Sequence, residues 1–252
     1  MPEGAAPLLA LFSDFGASGP YVGQVLAAWA GLAPAAPRVD LFSAAPPFDV
    51  EAGAHLLFAY TRRLPPGSVV EAVVDPGVGG PRGVLAVLAD GLWFCGPDNG
   101  LLAVAAGRAR GCRVWRVDWR PQSLSATFHG RDLFAPVAAH LALHGAPPAP
   151  AEEISPAAME RGGVADPAER VILADPYGNL VTGIPAAGAA ETARLAIAGR
   201  LLPRARRFGE VNPGEAFWYE NADGLAEAAV NRGSAAALLG VSVGAAARLI
   251  RD

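Results

Sequence analysis

Three polar loops interrupt the apolar first half of the chain, and their residue types could hold or activate a small polar ligand. Asp14 follows the apolar run 8–12 and could accept hydrogen bonds from a ribose diol. Asp75 closes the β-branched run 69–74, and a Gly/Pro-rich turn that would let a ligand approach the backbone separates it from Arg82. His129 lies just before a predicted helix, whose N-terminus favours a phosphate or a carboxylate.

Each of these residues also has a purely structural interpretation. Asp14 could cap a turn or a helix, and His129 could be an ordinary hydrogen-bonding side chain. Asp75 and Arg82 could form an ion pair across a hairpin. The glycines between them do not form the Walker phosphate loop, and the chain contains no Lys. Taken one at a time, the loops therefore do not identify a site.

Tight turns dominate the polar segments of the second half of the chain. The segment Asp175–Asn179 contains Asp, Pro, Gly and Asn, which all favour turns, and residues 221–224 and 231–233 invite the same interpretation. Trp218 and Tyr219 could stack on a base, although packing in a β core explains them equally well. These turns alone do not distinguish binding from structure.

The order of the predicted elements in the first 145 residues indicates an α/β fold with a central, mostly parallel sheet. Strands are predicted at residues 8–12, 39–42, 69–74, 83–88 and 92–94, and helices at 20–29, 50–64 and 133–144. Asp132 is predicted to cap the third helix. Because ligands of open α/β sheets bind beyond the carboxyl ends of the strands, the polar loops are expected at one end of the sheet.

The pattern changes after a segment rich in Pro, Ala and Glu. We predict a linker at about 145–165, and after it a small antiparallel β-barrel with short strands separated by turns. These strands are predicted at residues 171–174, 180–184, 195–198, 216–219 and 225–230. The chain is thus expected to divide into an α/β catalytic domain over 1–165 and a β-barrel domain over 166–252.

Composition narrows the class of protein. The chain has 252 residues, of which 52% are hydrophobic and 17% charged, and its net charge of −4 argues against a nucleic-acid partner or a polybasic membrane contact. No apolar run reaches the roughly 18 residues of a membrane span. The segment Met1–Gly4 lacks the basic start of a signal peptide, so a cytoplasmic protein is expected. The His and Cys spacings predict no metal site.

Eight motifs together resemble the S-adenosylmethionine hydroxide adenosyltransferases, which are S-adenosylmethionine hydrolases related to fluorinases and chlorinases. The motifs run in order from about residue 8 to about residue 240. VVDPGVGG and TFHGRDLFAPVAAHLA are the most specific in combination. The others are SDFGASGPYVGQV, PPFDVEAGA, CGPDNGLL, DPYGNLVTGI, FGEVNPGE and the NADG…AVNRG tail.

The resemblance implies a reaction and an assembly. It implies that S-adenosylmethionine and water become adenosine and methionine by attack of activated water at the 5′-carbon, without a cofactor. It implies a homotrimer with the nucleoside between neighbouring subunits. It also implies an Asp–Arg–His set acting on water, which falls on Asp75, Arg82 and His129. Arg82 could favour hydroxide character, and either Asp75 or His129 could accept the proton.

The resemblance further implies which residues bind the substrate. Asp14 matches the carboxylate that holds the ribose hydroxyls, and Asp175 matches an acidic residue near the amino-acid end. The remaining binding positions are Phe48, Phe128, Tyr177, Asn179, Val230 and Arg232. The chain departs from the family at Gly19, Ala222 and Gly183, where relatives commonly carry Asp, Ser and Asn. The first two departures fall near the methionine end and put its recognition in question.

Two other functions stay open at this stage. A halogenase would use a halide at the same carbon, but halogenases carry Tyr at the position of Asp75, and a carboxylate there repels a halide. A nucleoside-binding protein with lost turnover fits the changes at Gly19 and Ala222, although it would not require Asp75, Arg82 and His129 together. Release of adenosine and methionine separates the enzyme from the binding protein.

Overall fold

A computed structural model of the chain describes residues 6–251, and the Met1–Gly4 segment used to predict the absence of a signal peptide lies outside the described residues. The chain divides into two compact units, with the boundary between Val164 and Ala165. Over residues 6–251, no helix combines the length and the apolar character needed to cross a bilayer.

The first unit is a layered α/β structure around one large sheet. Its elements are β1 (Leu9–Ser13), α1 (Tyr21–Leu32), β2 (Arg38–Phe42), α2 (Val50–Thr61), β3 (Val69–Val73), β4 (Val84–Ala89), β5 (Leu92–Pro97), α3 (Ala103–Arg108), β6 (Cys112–Val117), α4 (Ala135–His144) and β7 (Ala151–Ile154). The strand order is β2-β1-β3-β5-β4-β6-β7. Pairings from β2 to β5 are parallel, and those from β5 to β7 are antiparallel, so the sheet is mixed.

Burial explains why the central strands form where they do. Every residue of β1 and β3 is buried, as expected for parallel strands covered on both faces. Helix α4 packs against β3, and α1 packs against α4. Trp29 and Phe134 are among the largest fully buried side chains of this core. This packing holds the carboxyl ends of β1 and β3 in fixed positions.

Two predictions about this unit were wrong in detail. The predicted linker at 145–165 contains β7, which pairs with β6 at the edge of the sheet. Asp132 does not cap α4, because a π-helical turn over Gly130–Phe134 precedes that helix. The Asp132 carboxylate instead pairs with Arg131 and accepts the N–H of Ser125 at 3.1 Å. Neither the edge strand nor the π-turn has a strong local signature.

The second unit is built from antiparallel strands and one short helix. Its elements are β8 (Ala168–Ala174), β9 (Leu180–Pro185), β10 (Arg194–Ile197), β11 (Arg200–Pro203), β12 (Ala216–Glu220), β13 (Leu225–Val230), α5 (Ala235–Leu239) and β14 (Ala247–Ile250). One sheet has the order β11-β10-β14, and the other has the order β12-β13-β9-β8. The fully buried Trp218 donates its indole N–H to the carbonyl of Ala193, which assigns this residue to the core.

The predicted fold class is confirmed: an α/β first region is followed by an antiparallel β region. Gly183 is explained by packing between β8 and β9. A Cβ at this position would lie 2.6 Å from the Cβ of Ala168 and 2.8 Å from its carbonyl oxygen. A side chain such as Asn therefore does not fit here without moving β8.

Candidate active site

Two parallel strands of the first unit end side by side and place two carboxylates at one edge of the sheet. Asp14 directly follows β1, and Asp75 lies two residues beyond β3. Since β1 and β3 pair in parallel up to Ser13 and Val73, their carboxyl ends lie at the same edge. The backbone N–H of Asp14 donates to the carbonyl of Val73 at 3.3 Å. The sheet therefore brings the first two polar loops together.

The loop after β3 closely approaches the loop that carries His129. Gly79 has a φ of +77°, and a Cβ there would lie only 2.4 Å from the carbonyl oxygen of Ala126. Only glycine accommodates both this left-handed conformation and this contact. Gly130 is similarly restricted, because its Cβ would lie 2.8 Å from the Phe15 ring. These two glycines permit the three loops to meet.

Asp75, Arg82 and His129 form one continuous hydrogen-bonded set. Arg82 donates from Nε to Asp75 Oδ2 at 3.0 Å and Oδ1 at 3.2 Å, and from Nη2 to Oδ2. The same Nη2 contacts His129 Nδ1 at 2.8 Å. The Arg82 and Asp75 side chains are only 11% and 4% exposed, and the guanidinium stacks over the Phe134 ring at 5.1 Å. Burial of this kind strengthens each electrostatic contact.

The contact with Arg82 defines the state of the His129 ring. A guanidinium only donates hydrogen bonds, so Nδ1 must accept and the remaining proton belongs on Nε2. Burial lowers the pKa of His129, and the positive charge of Arg82 lowers it further. His129 is therefore a neutral imidazole at physiological pH, with its Nε2–H available as a donor.

A cleft of about 300 Å³ opens beside this set. Its lining includes the predicted residues Asp14, Phe48, Asp75, Phe128 and His129. Arg82 is held behind the cleft through its contacts with Asp75 and His129. The volume lies at the lower end of the range typical of small-molecule sites. All the candidate residues that the sequence assigned to the first unit therefore lie in or directly behind one cleft.

Asp14 and Phe48 form one wall of the cleft. The backbone N–H of Phe48 donates to Asp14 Oδ2 at 2.9 Å. Phe48 has a φ of +63° and its side chain is 74% exposed, a conformation that is strained for a non-glycine residue and typical of ligand sites. Burial raises the pKa of Asp14, partly offset by the hydrogen bond from Phe48.

The sequence did not single out Phe15 and Tyr21, which also line the cleft. Both flank the Asp14 loop, but an aromatic residue near a helix start is usually a packing residue. The usable signal was the spacing: Asp14, Phe15 and Tyr21 surround a Gly-containing turn that leads into α1. Only the fold shows that the two rings meet Phe128.

The candidate residues of the second unit form a separate pocket within that unit. Asp175, Tyr177, Asn179, Val230 and Arg232 all line it. Phe208, Tyr219 and Gly233 complete the lining. Tyr219, which the sequence left open between stacking and core, therefore borders the pocket. Tyr177 is 80% exposed, so its ring is accessible to a ligand.

Local hydrogen bonds build this second pocket. Asp175 Oδ1 accepts the backbone N–H groups of Tyr177 at 2.9 Å and Asn179 at 2.8 Å, and its Oδ2 accepts the Asn179 side-chain amide at 2.9 Å. The turn is tight, because a Cβ at Gly178, whose φ is +81°, would overlap the Ser234 hydroxyl. Asp175 thereby fixes the orientation of two other candidate residues.

Glu227 is a buried neighbour of this pocket that the sequence did not indicate. It accepts hydrogen bonds from the Tyr219 hydroxyl at 2.5 Å and the Asn221 amide at 2.8 Å. Burial raises the pKa of Glu227, and nearby Asp175 and Asp223 raise it further. Burial and the hydrogen bond to Glu227 raise the pKa of Tyr219, so the phenol stays protonated.

Among the described residues, no group of three or more His, Cys, Asp or Glu side chains is arranged to hold a metal ion. A carboxylate and a neutral imidazole line the wall of the cleft, and a guanidinium behind them joins the two. This arrangement can hold and polarise a water molecule beside a bound ligand.

Comparison with known families gives two matches in sequence order. The model of the SAM hydroxide adenosyltransferase N-terminal domain matches residues 9–150, and the model of the C-terminal domain of the same family matches residues 169–248. The two matches together cover most of the chain.

Two relatives match over nearly their whole length, and a third matches over about half of it. A protein of Thermus thermophilus named (R)-S-adenosyl-L-methionine hydrolase is 41% identical, with 94% of this chain and 97% of the relative covered. A Salinispora arenicola protein of the same name is 38% identical, with 95% and 96% covered. A fluorinase of an Actinoplanes strain is 27% identical over 56% of each chain.

Two solved structures share the fold of the chain. The crystal structure of an uncharacterized conserved protein from Thermotoga maritima superposes with a TM-score of 0.85 at 29% identity, covering 96% of this chain and 100% of that one. A conserved hypothetical protein from Thermus thermophilus gives a TM-score of 0.76 at 38% identity, with 97% and 100% covered.

Proposed function

The chain belongs to the SAM hydroxide adenosyltransferase family, and on this premise we propose that it hydrolyses S-adenosyl-L-methionine to adenosine and L-methionine. The names of the relatives specify the R configuration at sulfur, and we extend this to the chain. The observation that carries the proposal is that Asp75 and His129 line a cleft together with Asp14 and are joined by the largely buried Arg82 behind it.

The proposed reaction is an in-line displacement at the 5′-carbon. The water oxygen forms a bond to this carbon, the bond between carbon and sulfur breaks, and its electron pair stays on the methionine sulfur. One water proton leaves, so the products are adenosine, methionine and a proton. A water held at attacking distance avoids part of the entropic barrier of a bimolecular reaction. The protein therefore has to orient the water and accept the proton.

The hydrogen bonds favour Asp75 as the proton acceptor. His129 Nδ1 already accepts from Arg82, so its other nitrogen carries a proton and can only donate to the water. The Asp75 carboxylate keeps unused lone pairs beyond those that accept from Arg82. We assign the proton to Asp75 and the orientation of the water to His129, with Arg82 holding both side chains.

The binding roles are part of the same proposal. Asp14 holds the ribose hydroxyls, with Phe48 and Phe128 against the nucleoside. In the second unit, Asn179, Tyr177 and the backbone around Val230 and Arg232 contact the adenine, and Asp175 contacts the amino-acid end. The clustering of these residues in one pocket of each unit supports these roles.

The setting of the reaction also remains a proposal. We propose that no cofactor takes part, that the protein is a homotrimer with the nucleoside bound between neighbouring subunits, and that it works in the cytoplasm. We also assign catalysis to the first unit, and we propose that the second unit helps to hold the nucleoside. Light scattering of the purified protein at several concentrations tests the trimer, and a monomer that retains full turnover would contradict it.

The decisive experiment follows the oxygen atom. The purified protein is incubated with S-adenosylmethionine in H₂¹⁸O, and the products are separated and identified by mass spectrometry. We expect equal amounts of adenosine and methionine, with one ¹⁸O in adenosine at the 5′ position. Absence of adenosine over hours with tight nucleoside binding would favour a binding protein instead. A 5′-halogenated nucleoside formed in added chloride or fluoride would favour a halogenase.

Two variants test the assigned roles. Asp75→Ala and His129→Ala are each expected to reduce kcat by about 10²–10⁴, as is typical of a lost acid–base group. Ser125→Ala, in the loop before His129 but outside the hydrogen-bonded set, serves as the matched control. Near-normal turnover in both Asp75→Ala and His129→Ala would exclude the proposed mechanism.

A further inference from the structure

Three aromatic rings form a cluster on the wall of the cleft. The ring centroids of Phe15 and Tyr21 are 5.7 Å apart, those of Phe15 and Phe128 are 5.8 Å apart, and those of Tyr21 and Phe128 are 5.2 Å apart. Both contacts of Phe128 are edge-to-face. Of these three residues, only Phe128 has a role in the function proposed above.

Tyr21 offers the most open ring of the cluster. It is 46% exposed, whereas Phe15 and Phe128 are half-buried. Val25 and Trp29 are the buried residues of α1, and Val22, Leu26 and Ala28 also pack against the core, so packing of the helix does not require an aromatic residue at its first position. Arg131 already lies over the Phe128 ring, with its guanidinium carbon 5.1 Å from the centroid. The ring that remains available to a ligand cation is therefore that of Tyr21.

Backbone geometry holds the Tyr21 ring in place. The ring lies against Gly19, where a Cβ would be 3.3 Å from Tyr21 Cδ2. At the other side of the cluster, a Cβ at Gly130 would lie 2.8 Å from the Phe15 ring and 3.3 Å from the Phe128 ring. Because both positions are glycine, the three rings close on one another without strain. The cluster is thus a preorganised surface.

The charges that line the cleft also favour a cation. Asp14 and Asp75 both line it, and Arg82 lies behind Asp75. His129 is neutral, since burial and Arg82 lower its pKa. The charged side chains that line the cleft are therefore both carboxylates, whereas Arg82 and Arg131 lie outside its lining and each pairs with a carboxylate. A face of an aromatic ring attracts cations through its quadrupole, and more strongly where water is excluded.

The substrate of the proposed reaction, on which this inference rests, carries such a cation. S-adenosylmethionine has a permanent positive charge on sulfur, and hydrolysis converts the sulfonium to a neutral thioether. We propose that Tyr21, buttressed by Phe15, is a specificity-determining residue that holds the sulfonium by a cation–π interaction. It distinguishes the charged substrate from neutral thioethers that share the same nucleoside.

A sulfonium held by Tyr21 gives a particular kinetic signature. The positive charge on sulfur falls as the bond to carbon breaks, so the interaction is stronger in the ground state than in the transition state. An interaction of this kind lowers KM without raising kcat. Tyr21→Leu is therefore expected to raise KM for S-adenosylmethionine and to leave kcat unchanged or slightly higher, whereas loss of a group that acts on the water lowers kcat.

Two ligands that are not hydrolysed test the charge directly. In sinefungin, a carbon that bears an amine replaces the methylated sulfur, and this amine is protonated near neutral pH. S-adenosylhomocysteine has a neutral thioether at the same position. In calorimetric titrations, Tyr21→Leu is expected to weaken sinefungin binding about five- to thirty-fold. Binding of S-adenosylhomocysteine is expected to change less than about two-fold. Tyr21→Phe retains the ring and is expected to retain the selectivity.

The controls separate failure of this inference from failure of the proposed function. Tyr60→Leu removes a tyrosine that packs against Phe42, with ring centroids 5.1 Å apart, and is expected to leave selectivity unchanged. Equal weakening of both ligands by Tyr21→Leu, or no change in either, would overturn the role of Tyr21 even if the wild type hydrolyses S-adenosylmethionine. A wild type that binds neither ligand also overturns it. A wild type that releases no adenosine overturns the proposed function, whatever Tyr21 does.

Discussion

In the cleft of the first unit, Arg82 and His129 are 47 residues apart in sequence and their side chains are 2.8 Å apart. In the pocket of the second unit, Asp175 organises Asn179, which is only four residues away. The first arrangement depends on a sheet, two close-approach glycines and a π-turn. The second depends on a single turn whose residue types already favour it. Substitution of one residue of the site should therefore disturb more distant parts of the structure in the first unit than in the second.

Two buried glutamates show the same contrast. Glu71 on β3 is fully buried, and neither of its carboxylate oxygens has a hydrogen-bond partner among the described residues. Glu227 on β13 is 6% exposed and accepts from both Tyr219 and Asn221. Burial raises the pKa of each carboxyl group, and it raises that of Glu71 well above its usual value. The first unit therefore buries a carboxyl group without a hydrogen-bond partner among the described residues, whereas the second unit supplies two donors to its buried carboxyl group.

The largest effect is expected for Arg82→Met. It leaves Asp75, whose side chain is 4% exposed, as an unpaired buried charge, and such a loss typically costs about 3–5 kcal/mol of unfolding free energy. We expect kcat to fall by at least about 10² as well. Urea denaturation and adenosine release measure the two effects. Arg113→Met, which breaks an exposed pair with Glu153, is the control and should leave both nearly unchanged. If Arg82→Met changed stability and kcat as little as Arg113→Met does, the importance of the long-range contacts in the first unit would be contradicted.

Opposite signs are expected when each buried glutamate becomes Leu. Since the pKa of Glu71 is raised in the folded protein, its contribution to stability is present below the unfolded value of about 4.5 and is lost as pH rises. Glu71→Leu should therefore stabilise, and by more at pH 8 than at pH 5. Glu227→Leu leaves Tyr219 and Asn221 without their acceptor and should destabilise by about 1–3 kcal/mol. Urea denaturation at pH 5 and pH 8 measures the unfolding free energy of each variant. If both substitutions stabilise the protein, or both destabilise it, the comparison between the two units is contradicted.

A smaller effect is expected for Asp175→Ala in the second pocket. The variant loses the acceptor for the N–H groups of Tyr177 and Asn179, so adenosine affinity should fall about ten-fold, close to one charged hydrogen bond. Calorimetric titration with adenosine measures this change. Asp90→Ala removes a similar turn acceptor, for Arg110 and Gly111 in the first unit, and should not affect binding. Equal loss of affinity in both variants would indicate a general effect on folding.

The smallest expected effect is a shift of the pH profile in Asp132→Asn. The Asp132 charge raises the pKa of His129, against the larger lowering by burial and Arg82, so its removal lowers this pKa further. If neutral His129 orients the water, kcat/KM falls on the acid side as His129 becomes protonated. This acid limb should therefore move to lower pH in the variant, because the lost carboxylate charge no longer favours the protonated imidazole. An unchanged profile would contradict the role of neutral His129.

Sequence reasoning identified most elements of the molecule because their signals are local. The runs that became β1 and β3 are short, apolar and rich in β-branched or bulky residues, and they end at polar loops. Three elements of the first unit were missed: α3 has six residues, β6 alternates apolar residues with arginines, and β7 lies in a Pro-rich segment. Such segments take their structure from the sheet edge that they join, which a local pattern does not contain.

The sequence by itself determined which residue types were available for chemistry, the two successive fold patterns and, through ordered motifs, the family. Only the tertiary structure decided that Asp75, Arg82 and His129 form one hydrogen-bonded set, that His129 is neutral, and that Tyr21 faces the same cleft. The physical reason is distance along the chain. Turns and strands follow from neighbouring residues, whereas the pKa of a side chain and the lining of a cleft depend on groups that only folding brings together.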